Sequence, residues 1–134
     1  MDNKSLIAAA VTVRNKAYAP YSRFAVGAAL LTKSGEVFTG CNVENISYRL
    51  TVCAEQGAVA SAIAQGHREF ISIAVVADSD KPIVPCGACR QLLAEFNPAL
   101  TVIMATTSGK EEVAGLGELL PRPAQGILET KQNV

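Results

Sequence analysis

Cys86 and Cys89 form a C-x-x-C pair behind Pro85, and well upstream Cys53 stands two positions before Glu55. Two sulfurs so spaced at the first turn of a helix converge on one ion, and a third from another helix start completes three sides of a tetrahedron. The partial positive charge of a helix N-terminus favours thiolate, the form that binds metal. Zinc suits three thiolates, and a fourth position left to water makes such a site catalytic. Water held there is a usable nucleophile near neutral pH when a base moves its proton. Glu55 is spaced to be that base without being a ligand.

The same residues have other readings. "CGAC" at a helix start is also the pattern of a thioredoxin-type redox pair, although that role leaves Cys53 and Glu55 unused. A closed structural zinc site needs a fourth ligand, and Cys41 and His67 are the only other Cys or His residues. That arrangement describes a structural zinc or nucleoside-binding module rather than an enzyme. Cys41 falls in an apolar strand, where a thiol ordinarily packs, and His67 follows Gly66 in a loop.

The elements that must carry these residues are legible from periodicity. Leu6, Ile7, Ala10, Val13 and Ala17 recur at helical spacing, which predicts a helix over 4–18 that stops at Pro20. "FAVGAALLT" and "VFTGCNV" flank Ser34-Gly35 and read as a β-hairpin. A helix is expected from Cys53 to Gln65, closed by Gly66, and a second from the cysteines of "PCGACRQLLAEF" to just before Pro98. "FISIAVVA" is a continuous apolar run, as in a strand covered on both faces. "TVIMAT" is a further strand, "EEVAG" a short edge strand and "LGELLP" a helical turn. Together these give an α/β fold, a three-layer α-β-α sandwich around a five-stranded mixed sheet. Both Cys53 and Cys86 then stand where a helix begins.

Composition bounds the function. A chain of 134 residues is most simply one domain spanning 1–134, with a tail over about 122–134 expected to be mobile. Twelve basic residues balance twelve acidic ones and no Lys/Arg run occurs, which argues against a nucleic acid polymer as partner and for a small molecule. No stretch is apolar enough to span a membrane, and the N-terminus reads as an amphipathic helix rather than a signal peptide. The expected location is cytoplasmic, where cysteines serve metals, catalysis or packing rather than disulfides.

"CAE" followed later by "PCGACRQ" resembles the zinc-dependent cytidine deaminase superfamily in its three-cysteine form. "YAPYSRFAVGAAL" and "GCNVENISY" are similar to the base- and ribose-binding segments of the small cytidine deaminases, so the likeness is nearly continuous from 17 to 95. The resemblance implies one zinc per subunit on Cys53, Cys86 and Cys89, with Glu55 shuttling protons. It further implies that the Ala54 N–H holds the cytosine O2 and that Phe24 packs beside the nucleoside. Asn42 and Glu44 would grip the ribose 3′-hydroxyl, a sensible pairing because an amide and a carboxylate together donate to and accept from a hydroxyl. Tyr48 would line the pocket or a contact between subunits of a homotetramer. The implied reaction is hydrolysis of cytidine and 2′-deoxycytidine to uridine and 2′-deoxyuridine in pyrimidine salvage.

Two positions depart from the family pattern. The small cytidine deaminases read C-A-E-R, where this chain has Gln56. Three thiolates on Zn²⁺ leave an excess negative charge that a neutral amide does not offset, so compensation falls to helix dipoles or to a cation such as Arg90. The aromatic that follows "ELLP" in the family is replaced near Ala124. "RLTVCAE" without a following arginine also resembles bacterial blasticidin S deaminases, which leaves a modified cytosine nucleoside as the alternative substrate.

Overall fold

The computed structural model of the chain describes residues 1–123, and the elements follow the order of hydrophobic patterns along the sequence. They are α1 (Asn3–Arg14), β1 (Val26–Thr32), β2 (Val37–Cys41), a 3₁₀ turn at Tyr48–Leu50, α2 (Ala54–Ala64), β3 (Phe70–Ala77), α3 (Gly87–Phe96), β4 (Thr101–Thr106), β5 (Glu111–Gly115) and α4 (Leu116–Leu119). The tail expected over 122–134 lies almost wholly outside the described residues, as does Ala124.

The five strands form one mixed sheet in the order β2-β1-β3-β4-β5. Only β3 and β4 run parallel, Ser72 beside Thr101 through Ala77 beside Thr106, with α3 as the crossover between them. The period-2 alternation of side chains divides the core into two layers. Ala28, Leu30, Ile73, Val75, Val102 and Met104 face the side covered by α2 and α3. Their neighbours Ala29, Leu31, Ala74, Val76, Ile103 and Ala105 face α1, which buries Leu6 and Ala10 against them. Covering both faces is why β3 reads as an unbroken apolar run rather than an alternating one. The architecture is therefore the expected three-layer sandwich.

Sheet direction sets where the chemistry can be. β1 opens beside the end of β3, Val26 opposite Ala77, and β2 closes beside the start of β1, Cys41 opposite Gly27. The chain leaves β2 for α2 and leaves β3 for α3 at this one end of the sheet, so the N-termini of α2 and α3 meet there.

The first helix is shorter than its periodicity predicts, ending at Arg14 rather than near Tyr18, and Pro20 is not its stop. Asn15, Lys16 and Ala17 donate to Thr12, Val13 and Arg14 in tight i→i−3 bonds, and Tyr18 then leaves the helix altogether. The Tyr18 N–H donates to Asn42 O at 2.9 Å and its carbonyl accepts from the Glu44 N–H at 2.8 Å. Bridging to the strand end satisfies the backbone of Tyr18 better than a frayed helical turn does.

Close approach of β2 to α2 depends on one glycine. A Cβ at Gly40 would lie 2.3 Å from Ala54 O and 2.4 Å from Ala58 N, backbone atoms that cannot swing aside. Gly40→Ala must therefore push the start of α2 off the sheet. The expected cost is at or above the upper end of the ~1–3 kcal/mol usual for overpacking. It is read as a lowered urea midpoint at constant m-value. A midpoint equal to wild type would show that α2 does not need this contact.

Candidate metal centre and active site

Cys53 is the N-cap of α2 and Cys86 the N-cap of α3, both with extended backbone. Cys89, one turn into α3, points back toward the same place, and its N–H donates to Cys86 Sγ at 3.4 Å. The three sulfurs lie within 4.8 Å of one another, while Cys53 is half-buried, Cys86 exposed and Cys89 buried. A tetrahedral ion with metal–sulfur bonds of ~2.3 Å requires sulfurs about 3.8 Å apart, so the cluster is of the right size for zinc, and an all-sulfur donor set suits it. Two helix N-termini directed at the sulfurs add favourable partial charge.

The thiols act on one another. Hydrogen bonding with Cys89 draws the Cys53 thiol down to about 7, against the opposing effects of burial and the Glu55 charge. The same contact with Cys53, followed by burial, pushes Cys89 up. Of this pair, negative charge thus falls on Cys53 rather than Cys89.

Glu55 is only 5% exposed and is the one charged residue in the core among the described residues. Burial raises its carboxyl above the ordinary carboxylate range, partly opposed by hydrogen bonding to its own backbone and to Cys89. It is not part of the three-sulfur cluster. It does line a cavity of about 220 Å³ at this end of the sheet, together with Val26, Asn42, Ala54, Cys53 and Cys86. Thr51, Ile83, Val84 and Pro85 complete the wall. Sequence reasoning did not single out the first three of these, although each lies within three residues of a cluster cysteine. Adjacency was the available signal.

The remaining expected site residues divide. Asn42 is buried and lines the cavity, but its side chain is already engaged: Oδ1 accepts from the Val26 N–H and Nδ2 donates to Phe24 O, both at 2.8 Å. Glu44 accepts from the N–H groups of Tyr21 and Ser22 at 3.0 and 3.1 Å and from the Ser22 hydroxyl. These bonds to the charged form hold its carboxyl below the usual range, the Ser22 hydroxyl first among them. Asn42 and Glu44 thus shape the 19–25 loop from two sides. Arg23 within that loop takes a left-handed backbone, φ 59°, immediately before Phe24. Phe24 is 38% exposed and Tyr48 75%, and neither belongs to the cavity wall; Tyr48 meets Tyr21 edge-to-face instead.

Gln56 and Arg90 turn away from the roles expected of charge alone. Gln56 Oε1 accepts from the Cys53 N–H at 2.8 Å. Arg90 Nη1 donates to Leu119 O at 2.8 Å, tying α3 to α4, and its Nε is buried with no partner among the described residues. Cys41 is not in the sulfur cluster, and His67 pairs with Glu36 at 2.9 Å beside the hairpin turn. A fourth protein ligand of either kind, and with it the closed structural site, does not form among the described residues.

Known proteins are similar to this chain over most of its length. The model for the cytidine and deoxycytidylate deaminase zinc-binding region matches residues 1–106. A cytidine deaminase of Halalkalibacterium halodurans is 51% identical over 122 residues, 90% of this chain and 92% of that one. A blasticidin-S deaminase of Bacillus cereus is 35% identical over 104 residues, 72% of this chain and 74% of its own. Among solved structures, the cytidine deaminase of Burkholderia pseudomallei superposes with a TM-score of 0.88 at 53% identity, covering 90% of this chain and 98% of that one. A zinc-binding-region model over most of the chain, relatives about half identical and a closely superposing fold agree: this protein belongs to the cytidine and deoxycytidylate deaminase family.

Proposed function

We propose that this chain is a zinc-dependent enzyme that hydrolyses cytidine and 2′-deoxycytidine to uridine and 2′-deoxyuridine with release of ammonia. The observation that carries the reading is Glu55, a buried carboxylate in the wall of a small cavity, beside three sulfurs that fit one zinc but outside their cluster. Zinc would be held by Cys53, Cys86 and Cys89, and when bound it would supply an acidified water as nucleophile. Glu55 takes that water's proton on its carboxylate and delivers it to ring N3. It then takes the second proton, from the oxygen now bonded to C4, and gives it to the amine, so that the C4–N bond breaks, C4 becomes a carbonyl and ammonia leaves. A carboxyl raised by burial suits both halves of this exchange, since it holds a proton more tightly than an exposed glutamate yet still gives it up.

The cavity sits below the roughly 300–1,000 Å³ of sites for larger ligands, which is the scale of a single ring. The Ala54 N–H, at the first turn of α2, is available to a carbonyl oxygen of that ring. Asn42 offers whatever hydrogen-bonding capacity its loop contacts leave, and Glu44 reaches the sugar only by yielding a bond to the loop. Phe24, Ile46, Tyr48, Leu50, Val52 and Val84 are exposed on segments that flank the cavity. Apolar surface of that extent supports burial between subunits, with a homotetramer as the assembly and Phe24 and Tyr48 completing the pocket there. No helix among the described residues is long and apolar enough to cross a membrane. A single domain acting in the cytoplasm on free nucleosides is consistent with that and with zero net charge.

The test is a deamination screen by ultraviolet absorbance over cytidine, deoxycytidine, cytosine and blasticidin S, with light scattering on the active species. Turnover of both simple nucleosides is expected. Turnover of blasticidin S alone overturns the substrate assignment, and an active single chain overturns the assembly.

A further inference from the structure

The two helices that build the metal centre hold their first turns differently. In α3 the N-cap Cys86 and the third helical residue Cys89 are both in the sulfur cluster, and the Cys89 N–H donates to Cys86 Sγ at 3.4 Å. That turn is closed by the Cys86 sulfur itself, which accepts a backbone N–H. α2 contributes a single sulfur, from its N-cap Cys53, and its third helical residue is Gln56. Gln56 closes the α2 turn from the opposite direction, its side chain reaching back to the backbone of the N-cap. Its Oε1 accepts the Cys53 N–H at 2.8 Å, the returning arm of a capping box whose N-cap is a cysteine in place of the usual serine or threonine.

The remaining backbone around Cys53 is fixed as well. The Cys53 carbonyl accepts from the Gly57 N–H at 3.1 Å, and the preceding Val52 exchanges two 2.9 Å bonds with Val43. With Gln56 in place, both backbone polar groups of Cys53 are paired and its φ of −73° and ψ of 156° are held from both sides. Those angles set the direction of the Cα–Cβ bond and so the position of the sulfur. Glu55 lies between the two residues of this clamp and is oriented by the same turn.

We propose that Gln56 is a positioning residue for the metal centre, acting as a hydrogen-bond acceptor that fixes the Cys53 backbone and thereby aims its sulfur at the other two. This rests on the zinc reading of the three cysteines. It also explains why a neutral side chain stands at this position: an amide accepts through its oxygen, whereas a guanidinium has donors only.

The test compares Gln56→Met, which keeps length and helix preference but has no oxygen to accept, with Gln56→Glu, which keeps the acceptor and adds negative charge. Metal affinity is measured by chelator competition with zinc and by the sulfur-to-cobalt charge-transfer band on titration with Co²⁺. Exchange of the Cys53 amide is measured by NMR on the metal-free protein. Gln56→Met should weaken metal binding by roughly 10–100-fold, as loss of an outer partner of a ligand does, and should speed exchange at Cys53. Gln56→Glu should keep both near wild type despite its charge. Wild-type affinity in Gln56→Met, or a loss in Gln56→Glu as large as in Gln56→Met, overturns the proposal. Should Gln56→Met not fold, Gln56→Ala, which also lacks the acceptor, takes its place in the same comparison. No readout requires turnover, so the proposal stands or falls separately from the deaminase reading.

Discussion

Glu55→Gln is expected to keep its zinc and lose deamination by at least the ~10²–10⁴-fold that a general acid–base residue contributes. The amide preserves volume and can still hydrogen-bond in the space the carboxylate occupies, but it cannot carry a proton between the water and the ring. Retention of metal follows because the three sulfurs cluster without Glu55. Removing a buried ionisable group, at 5% exposure, also relieves a desolvation cost, so the variant should be no less stable than wild type. Two measurements check this: zinc per chain by elemental analysis, and the absorbance change with cytidine. Loss of zinc would make Glu55 a ligand. Surviving activity would place the proton shuttle elsewhere, and no other acid among the described residues lines the cavity.

The elements that place Glu55 beside the three sulfurs are largely visible in the sequence. The five strands and the starts of α2 and α3 followed from apolar runs and from Gly and Pro punctuation, because both sheet faces are covered and the helices are short and strongly packed. Cys53 and Glu55 could be placed together because they lie on one helical turn, where sequence distance fixes spatial distance. The end of α1 was not legible. It depends on Tyr18 pairing with the strand end at Asn42 and Glu44, a contact between residues far apart in the chain.

The same limit governed the loop residues. Nothing local to Asn42 or Glu44 reveals that their polar atoms hold Phe24, Val26, Tyr21 and Ser22. Gln56 is an instructive intermediate case. Its spacing of three from Cys53 is the capping-box interval, but cysteine is an unusual N-cap and charge was the more obvious quantity to compare. Arg90 shows the converse, since a cation next to a cluster cysteine spends a donor on Leu119 O rather than on sulfur. Charge near a site can be counted from sequence; the direction a side chain takes cannot.

Cys86→Ser and Cys89→Ser should both lose zinc, by more than the ~10–100-fold that separates an intact centre from one lacking an outer partner. Two remaining sulfurs and a poorly ligating hydroxyl no longer make the set that suits the ion. The variants should differ in what else they lose. Cys86 is exposed at the helix start, so its replacement leaves the metal-free fold as stable as the metal-free wild type. Cys89 has 0% exposure and packs in the core face of α3 with Leu93 and Ala94, so a hydroxyl there is buried away from water and destabilises the metal-free fold too. Zinc should raise the melting temperature of wild type and of neither variant, each tenfold of lost affinity removing about 1.4 kcal/mol of linked stability. A zinc-dependent rise that survives in Cys86→Ser would mean that the ion is held without that sulfur. Equal metal-free stability of the two variants would mean that Cys89 is not the core residue its burial indicates. The contrast separates ligation from packing within one C-x-x-C pair, whose members differ in environment although they are a single turn apart.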